Sequence, residues 1–537
     1  MLAELRIIGS RLLLTVIQSR WFSVAYLLLA VGAGASLSRL SAFPGFYGSK
    51  LPASLAELSP FSLPVVRSWP AVNVWSEQFE LEYAQFVARL GQAVAARRCR
   101  TLDACLRSPE SNSLFDPWTD PSLDLDVDCG DLPYVLRGYF AFKRRLPFGF
   151  VCEVKGVGPH VRYMSDVTPA RFCQWNQYGS PRTALLRMIG QVHSGMYRMA
   201  PEVETSDFYP TQISRAAVHP GTVYYDPNGH VLIVAEVRAD GTVYLMDGHP
   251  DGSLTWKRFG EALALGGRGQ GGGFKNFRPQ RFEAGQLLRL TNRELPFFDG
   301  SSQWNKALRQ TADKPGSYHA WVRQTLAEPD APRDPVADFR DQLRALCRDF
   351  SERVEAVEAA VAAGLPQRSH PGELPDNIYG TIGEWEVYAS PSRDARLKAA
   401  VRELYDNVSA LPASSPLLPQ LAAAWREESE QPGCRFTYKN SAGAAVPLTL
   451  ADVLGRLFLL SFDPYHCPEL RWGAALGSKE AASCPSDATK LDFYAREQRL
   501  RNRIDREYGE PTPLSAGPWE PPELDVRRLL GLDSRSP

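Results

Sequence analysis

The chain has 537 residues, 44% hydrophobic and 23% charged, with a formal net charge of −1. That length supports two or three cores, and the composition is that of a folded globular protein, not a disordered one. A near-neutral chain offers no basic field to hold phosphate backbones, which sets nucleic acid aside as a partner.

The first segment reads as an export signal. Arg6, Arg11 and Arg20 make a positive stretch, and Trp21 to Ala35, "WFSVAYLLLAVGAGA", is an apolar run. Ala33-Gly34-Ala35 has the small-x-small form of a cleavage site, so residues 1–35 are expected to be a signal peptide; an uncleaved membrane anchor is the alternative. In both versions the arginines favour an N-in orientation, and the body is expected outside the cytosol, in the periplasm or cell envelope. The nine cysteines then read as disulfide partners with one thiol left over. Cys99 with Cys105 and Cys152 with Cys173 are local candidates, and Cys434 is expected to join Cys467 or Cys484. Cys129 is the candidate for the unpaired thiol. No CxxC or Cys/His cluster has zinc spacing, so neither metal nor cofactor is expected.

Residues 36–70 are rich in Ser, Pro and Leu and read as a linker. The spacing of Phe79, Tyr83, Phe86, Val87 and Leu90 predicts a helix over 74–98. A loop dense in Pro and Asp, 108–128, leads to "DVDCGDLPYVLRGYFAFKRRLPF", where a helix is expected from just after Cys129 to Pro147. From 148 to 290 strand signals dominate: "FGFVCEV", "GTVYYD", "HVLIVAEV" and "GTVYLMD", with Asp240-Gly241 as a hairpin turn. Residues 150–218 read as an insertion with a helix around 181–198, and 266–273, "GGRGQGGG", as a flexible loop. Beyond about 300 helical spacing returns at 336–363, 392–410, 417–429, 449–461 and 488–507. The stretches 378–398 and 460–473 are aromatic and charged, and no chemistry is assigned to them.

The chemistry centres on Cys129, His230 and Asp247. A thiol becomes a strong nucleophile as thiolate, and the positive end of a helix favours that form. Asp128 or Asp131 serves as the cap of that helix, with Pro133 in its first turn. His230 opens the strand "HVLIVAEV", from which it can act as general base and acid, and Asp247 at the end of the next strand can orient its ring. With an even hairpin loop, residues whose numbers add to an odd value share a face, as His230 and Asp247 do. A six-residue loop sets them directly opposite, a four-residue loop makes them diagonal neighbours, and a tight two-residue turn leaves them too far apart. His249 and Asp251 are alternatives to Asp247, and His219 stands near the same strands.

The segment "HPGTVYYDPNGHVLIVAEVRADGTVYLMDG" resembles the second half of NlpC-like and CHAP cysteine peptidases and amidases. Pro220-Gly221, Gly229-His230, Asp240-Gly241 and Asp247 match in order, and Asp128-Cys129 ahead of a helix resembles their nucleophile motif. Gly130-Asp131 replaces the usual Ser-Gly after the Cys, and Thr222 replaces the usual Asp after Pro-Gly. The resemblance implies an α+β, papain-like core in which the helix carrying the Cys packs on an antiparallel sheet. It also implies Cys129 as nucleophile, His230 as base, Asp247 as orienter, and the Cys129 N–H as an oxyanion donor. The expected organisation is a signal or anchor over 1–35, a linker and N-terminal helical segment over 36–125, a thiol hydrolase domain over 126–295, and a C-terminal helical domain over 296–537. The expected activity is cleavage of amide bonds in peptides, with peptidoglycan stem peptides as the substrate class. A transglutaminase-like acyl transferase shares the Cys, His, Asp order, and a catalytically inactive binding or scaffold module is the third reading.

Overall fold

The computed structural model describes residues 68–117, 123–158, 160–309, 316–379, 383–389, 391–485, 487–505 and 512–532; the expected export signal lies outside them. Helix α1 (Glu77–Ala95) starts where the Ser76 hydroxyl accepts the Phe79 N–H, with Glu77 and Glu80 in the positive first turn. Its stripe is buried at Tyr83, Phe86, Val87 and Leu90. The short α2 (Leu102–Leu106) is capped by Thr101 and tied by the Cys99–Cys105 disulfide. Helix α3 (Asp131–Lys143) follows Cys129 and ends before Pro147, and twelve of its thirteen residues are buried.

A two-stranded ribbon, β1 (Gly149–Val157) and β2 (Ser165–Gln174), comes next, closed by Cys152–Cys173. The helix expected over 181–198 ends early: α4 spans Pro181–Ile189, and Ser194–Tyr197 is a separate tight turn. The strands then build one six-stranded antiparallel sheet from β3 (Phe208–Pro210), β4 (Val223–Asp226), β5 (His230–Val237), β6 (Val243–Gly248), β7 (Leu254–Arg258) and β8 (Gly273–Phe277), in the order β3-β8-β4-β5-β6-β7. A small hairpin, β9 (Gln280–Glu283) with β10 (Gln286–Arg289), ends this part. The glycine-rich segment is exposed over 266–269, as a surface loop is, and packed from Gly271 on: a Cβ on Gly272 would lie 1.8 Å from the Leu265 carbonyl oxygen, and Gly273 already belongs to β8.

Both sheet faces are covered, so β4, β5 and β6 read as nearly continuous apolar runs. Val231, Ile233 and Ala235 of β5 pack with α1 and α3. A Cβ on Gly91 of α1 would stand 2.4 Å from the Ala235 Cβ, so glycine sets that close crossing. Leu232 and Val234 face the other way, onto Tyr224, Leu245, Phe259 and helix α5 (Tyr318–Leu326).

The remainder is mainly helical: α6 (Pro335–Ala362), α7 (Pro391–Ser409), α8 (Leu417–Ser429), α9 (Leu450–Gly455), α10 (Pro468–Arg471), α11 (Ala488–Arg496) and α12 (Gln498–Asn502). Between the expected helices stands a hairpin that helical spacing does not anticipate, β11 (Arg435–Lys439) with β12 (Ala445–Thr449), packed against α6. Their alternating burial, exposed at Arg435, Thr437 and Lys439 and buried at Phe436 and Tyr438, is the period of a half-buried strand. Cys434, just before β11, is bonded to Cys347 of α6, while Cys467 pairs with Cys484. The expected partner for Cys434 is thus replaced by one from a helix 87 residues earlier. The whole is a mixed α and β protein with antiparallel sheets.

Candidate functional site

Eight cysteines are bridged, and Cys129 is the free one. It stands half-buried two residues before α3. The Asp128 carboxylate accepts the N–H groups of Gly130 (2.7 Å) and Asp131 (3.1 Å), and Asp131 accepts the Asp128 N–H in return (3.2 Å). Gly130 thus holds the cap position, Asp128 takes the first helical N–H and Asp131 braces the turn from inside the helix; no described residue accepts a hydrogen bond from the Cys129 N–H. Tyr197 fixes the same turn by donating to the Gly130 carbonyl at 2.8 Å.

The turn docks where β5 and β6 part. Their ladder ends at Ile233–Met246, while β5 runs on to His230 beside β4. A Cβ on Gly248 would lie 2.8 Å from the Asp128 carbonyl oxygen, so only glycine lets the Cys129 turn come this close. The sulfur sits 3.9 Å from the Gly229 carbonyl oxygen, and the Val231 backbone N–H nearby favours its thiolate. These two groups flank His230.

His230 and Asp247 are joined directly, Nε2 to Oδ2 at 2.8 Å, and Asp247 is fully buried. The hairpin reaches this arrangement by an unexpected route. Five residues separate the paired Val237 and Val243, an odd loop, and a β-bulge between Val234 and Glu236 shifts the register by one. Beyond the bulge the pairing is that of the even loop, and Asp247 becomes the diagonal neighbour of His230. Thr255 of β7, directly opposite Asp247, donates to its Oδ1. Burial alone would raise the Asp247 carboxyl, but His249, the His230 hydrogen bond and Lys257 hold it well below the usual carboxylate range. Burial and the nearby Arg396 lower the His230 pKa against the pull of Asp247, so the resting ring is neutral. Among the described residues none is hydrogen-bonded to its Nδ1.

The sulfur and the imidazole are not hydrogen-bonded to each other. Cys129 packs with the α3 side of the sheet, while His230 and Leu232 line a small cavity against α6 and α7, with Lys257, Arg393 and Arg396. The thiol is also strongly favoured over the thiolate: burial and the Asp128 charge push it up, Arg162 and the Val231 N–H pull it down, and Asp247 adds a smaller push. The structure thus gathers the three expected residues at one end of the β5–β6 pair and joins two of them.

The alternatives take other roles. His249 lies 3.6 Å from Asp247 Oδ2 but pairs its Nε2 with Thr255 at 3.1 Å. Asp251 accepts the Ser253 N–H within its turn, and His219 Nδ1 lies 2.9 Å from the carbonyl of its neighbour Pro220. Sequence reasoning missed Thr255, whose strand follows a second turn, and Arg162, which arrives from the β1–β2 loop with no spacing to mark it.

A second buried cluster lies in the helical part, where ligand atoms of His370, Asp463 and Glu497 come within 4.8 Å of one another. The Gly372 N–H donates to His370 Nδ1 at 2.9 Å, so Nε2 carries the proton and gives it to Asp463 at 2.8 Å. Burial and the neighbouring Asp463 raise the Glu497 carboxyl well above its ordinary value, which keeps it protonated. These groups are occupied by protons and by each other. Compared with known proteins, the chain matches no family model, no curated protein and no solved structure.

Proposed function

We propose that the protein is an exported cysteine hydrolase of papain-like fold that cleaves amide bonds in peptides, with peptidoglycan stem peptides as its substrate class. The observation that carries this reading is the state of His230. Its Nε2 is held by a buried, ionised Asp247, and among the described residues its Nδ1 has no hydrogen-bonded partner, one residue from the Gly229 carbonyl that faces the one free cysteine sulfur. A base whose second nitrogen is oriented and whose first is open is what a thiol needs to become a nucleophile. Four disulfides fit a compartment outside the cytosol.

In the reaction the thiol and Nδ1 must meet around the end of β5, because at rest Cys129 packs on the α3 side of the sheet and His230 lines the cavity on its other face. His230 takes the thiol proton and the sulfur attacks the amide carbon. The unengaged Cys129 N–H, at the positive end of α3, receives the developing oxyanion. The amine then leaves with the proton from His230, and water, deprotonated by the same ring, hydrolyses the thioester. The test is release of soluble peptides from purified cell wall, followed by mass spectrometry. Wild type should release them, and Cys129→Ala and His230→Ala should not. Equal release by Cys129→Ala sinks the reading.

The high resting thiol pKa and the missing sulfur–imidazole bond favour a second reading, a papain-like scaffold with no turnover. It is supported if wild type releases nothing while retaining binding to the same cell wall. Incorporation of an amine into a glutamine donor would instead point to an acyl transferase.

A further inference from the structure

Arg162, in the loop between β1 and β2, lies against Gly229, at the start of β5. Its Cδ would be 3.5 Å from a Cβ on Gly229, the residue whose carbonyl faces the sulfur. Its guanidinium is ion-paired to Glu386, which belongs to the turn Trp385–Ala389 in the helical part of the chain. Both side chains are about four-fifths shielded, at 20% and 23% exposure. Beside Arg162 is the Ser194 hydroxyl, 3% exposed and without a hydrogen-bond partner among the described residues, 3.7 Å from that Gly229 Cβ position.

We propose that Arg162 is the positioning residue that stabilises the Cys129 thiolate, and that Glu386 holds this guanidinium in check until the helical segment carrying it moves. Two charges of opposite sign this close largely cancel at a third, and in so shielded a place removing one leaves the other's field strong. While Glu386 neutralises Arg162, the sulfur feels chiefly burial and the Asp128 carboxylate. When Glu386 withdraws, the cation is left to the sulfur and the helix end. Arg162 and the sulfur lower and raise each other's proton affinity as such a pair must. The other groups around the sulfur do not compete for this role. Tyr197 and Tyr225 are phenols that burial keeps neutral, burial holds His193, beside Arg162 and Asp128, down to about 4, His230 is neutral at rest and not bonded to the sulfur, and Asp247 adds a weak negative push. The switch rests on the thiol hydrolase reading for its purpose, but not for its test.

The test is the pH dependence of iodoacetamide alkylation of Cys129 in the full chain, with Cys129→Ala as blank. Cys129 is the one free thiol, so the signal belongs to it alone. One pKa unit changes the thiolate fraction tenfold below the pKa. Glu386→Gln should speed alkylation at pH 8 by about tenfold, Arg162→Gln should slow it by about tenfold, and Arg162→Lys should lie near wild type. If the pair were only a structural clasp, both Gln variants would loosen the loop and speed alkylation alike, and that result overturns the proposal. So does an unchanged or slower Glu386→Gln, which decides the matter alone if Arg162→Gln does not fold. Peptide release is measured separately: alkylation that follows the expected signs without release retains the switch and removes the hydrolase.

Discussion

Two histidines in this chain donate Nε2–H to a fully buried aspartate at the same 2.8 Å: His230 to Asp247 in the sheet, and His370 to Asp463 in the helical part. The pairs differ at the other nitrogen. His370 Nδ1 accepts the Gly372 N–H, its ring stacks on Phe493 with centroids 4.0 Å apart, and its side chain is wholly buried. His230 Nδ1 has no hydrogen bond among the described residues, and its ring lines a cavity. A His–Asp pair is thus not by itself a sign of chemistry. A ring with both nitrogens satisfied by the protein is cross-bracing, and a ring with one nitrogen open is equipped to move a proton.

The largest expected effect separates the two rings. His230→Ala should lower peptide release by about 10²–10⁴-fold, the range for losing a general base, with little change in melting temperature. His370→Ala should do the reverse. It leaves Asp463 without its donor in a dry site and opens a cavity beside Phe493, for roughly 3 kcal/mol of lost stability, while release per folded molecule stays at the wild-type rate. If His370→Ala lowers release as far as His230→Ala, the comparison is broken.

The two regions also differ in their covalent ties. The Cys347–Cys434 bridge closes a loop of 87 residues in the helical part, so its removal should cost roughly 4 kcal/mol, more than a short loop. The double variant Cys347→Ala, Cys434→Ala adds no new thiol. Calorimetry should show it melting far below wild type, with the Cys129 alkylation rate in the cold unchanged. A changed rate would mean that the helical part shapes the thiol site at rest through more than Glu386.

How much of this was legible in the sequence follows from which interactions are local. Helix α1, the α3 start and strands β4 to β6 could be read because their apolar period, caps and turn glycines lie within a few residues of one another. The His230–Asp247 pair could be read because parity survives: the bulge at Ala235 cancels the odd loop. Strand β3, three residues long, pairs only with a segment some seventy positions away and leaves no local trace. Cys434 finds Cys347 because α6 and β11 pack together, which spacing cannot convey. Arg162 and Glu386 meet across 224 residues, and the "EWEVY" stretch gave no sign of it.

The hairpin turn offers a sharper probe of the sheet pair. Gly241 has φ +81°, and a Cβ there would fall 1.9 Å from the Arg323 carbonyl oxygen at the end of α5. Gly241→Ala should therefore cost roughly 2–3 kcal/mol from the left-handed backbone and the clash together. Because this turn and the bulge set the register that aligns Asp247 with His230, release should fall further than stability alone explains. An equally stable Gly241→Ala with normal release would mean that the alignment is set elsewhere, by Thr255 on β7.

The smallest effect is a difference in pH response, and it concerns the second histidine beside each aspartate. Burial holds His249 near Asp247 down to about 3 and His466 near Asp463 down to about 4. Both are neutral in the fold, whereas in the unfolded chain an imidazole takes up its proton near 6.5. Below about 6.5 the unfolded state binds more protons, so the stability each neutral ring contributes is present above that value and is lost as the pH falls towards about 4. Each ring can account for at most about 1.4 kcal/mol per pH unit in that window. A variant that cannot charge isolates one ring: His466→Gln should lose less stability than wild type between pH 7 and pH 5, read as the difference in melting temperature at the two pH values. His249→Gln should do the same by about the same margin, because both rings stay neutral in the fold down to pH 5 and the loss is set by the unfolded imidazole. A His466→Gln curve parallel to wild type would mean that the site around Asp463 admits the proton on His466 without unfolding, and that the helical cluster is less rigid than its hydrogen bonds to Ser461 and the Lys490 carbonyl imply.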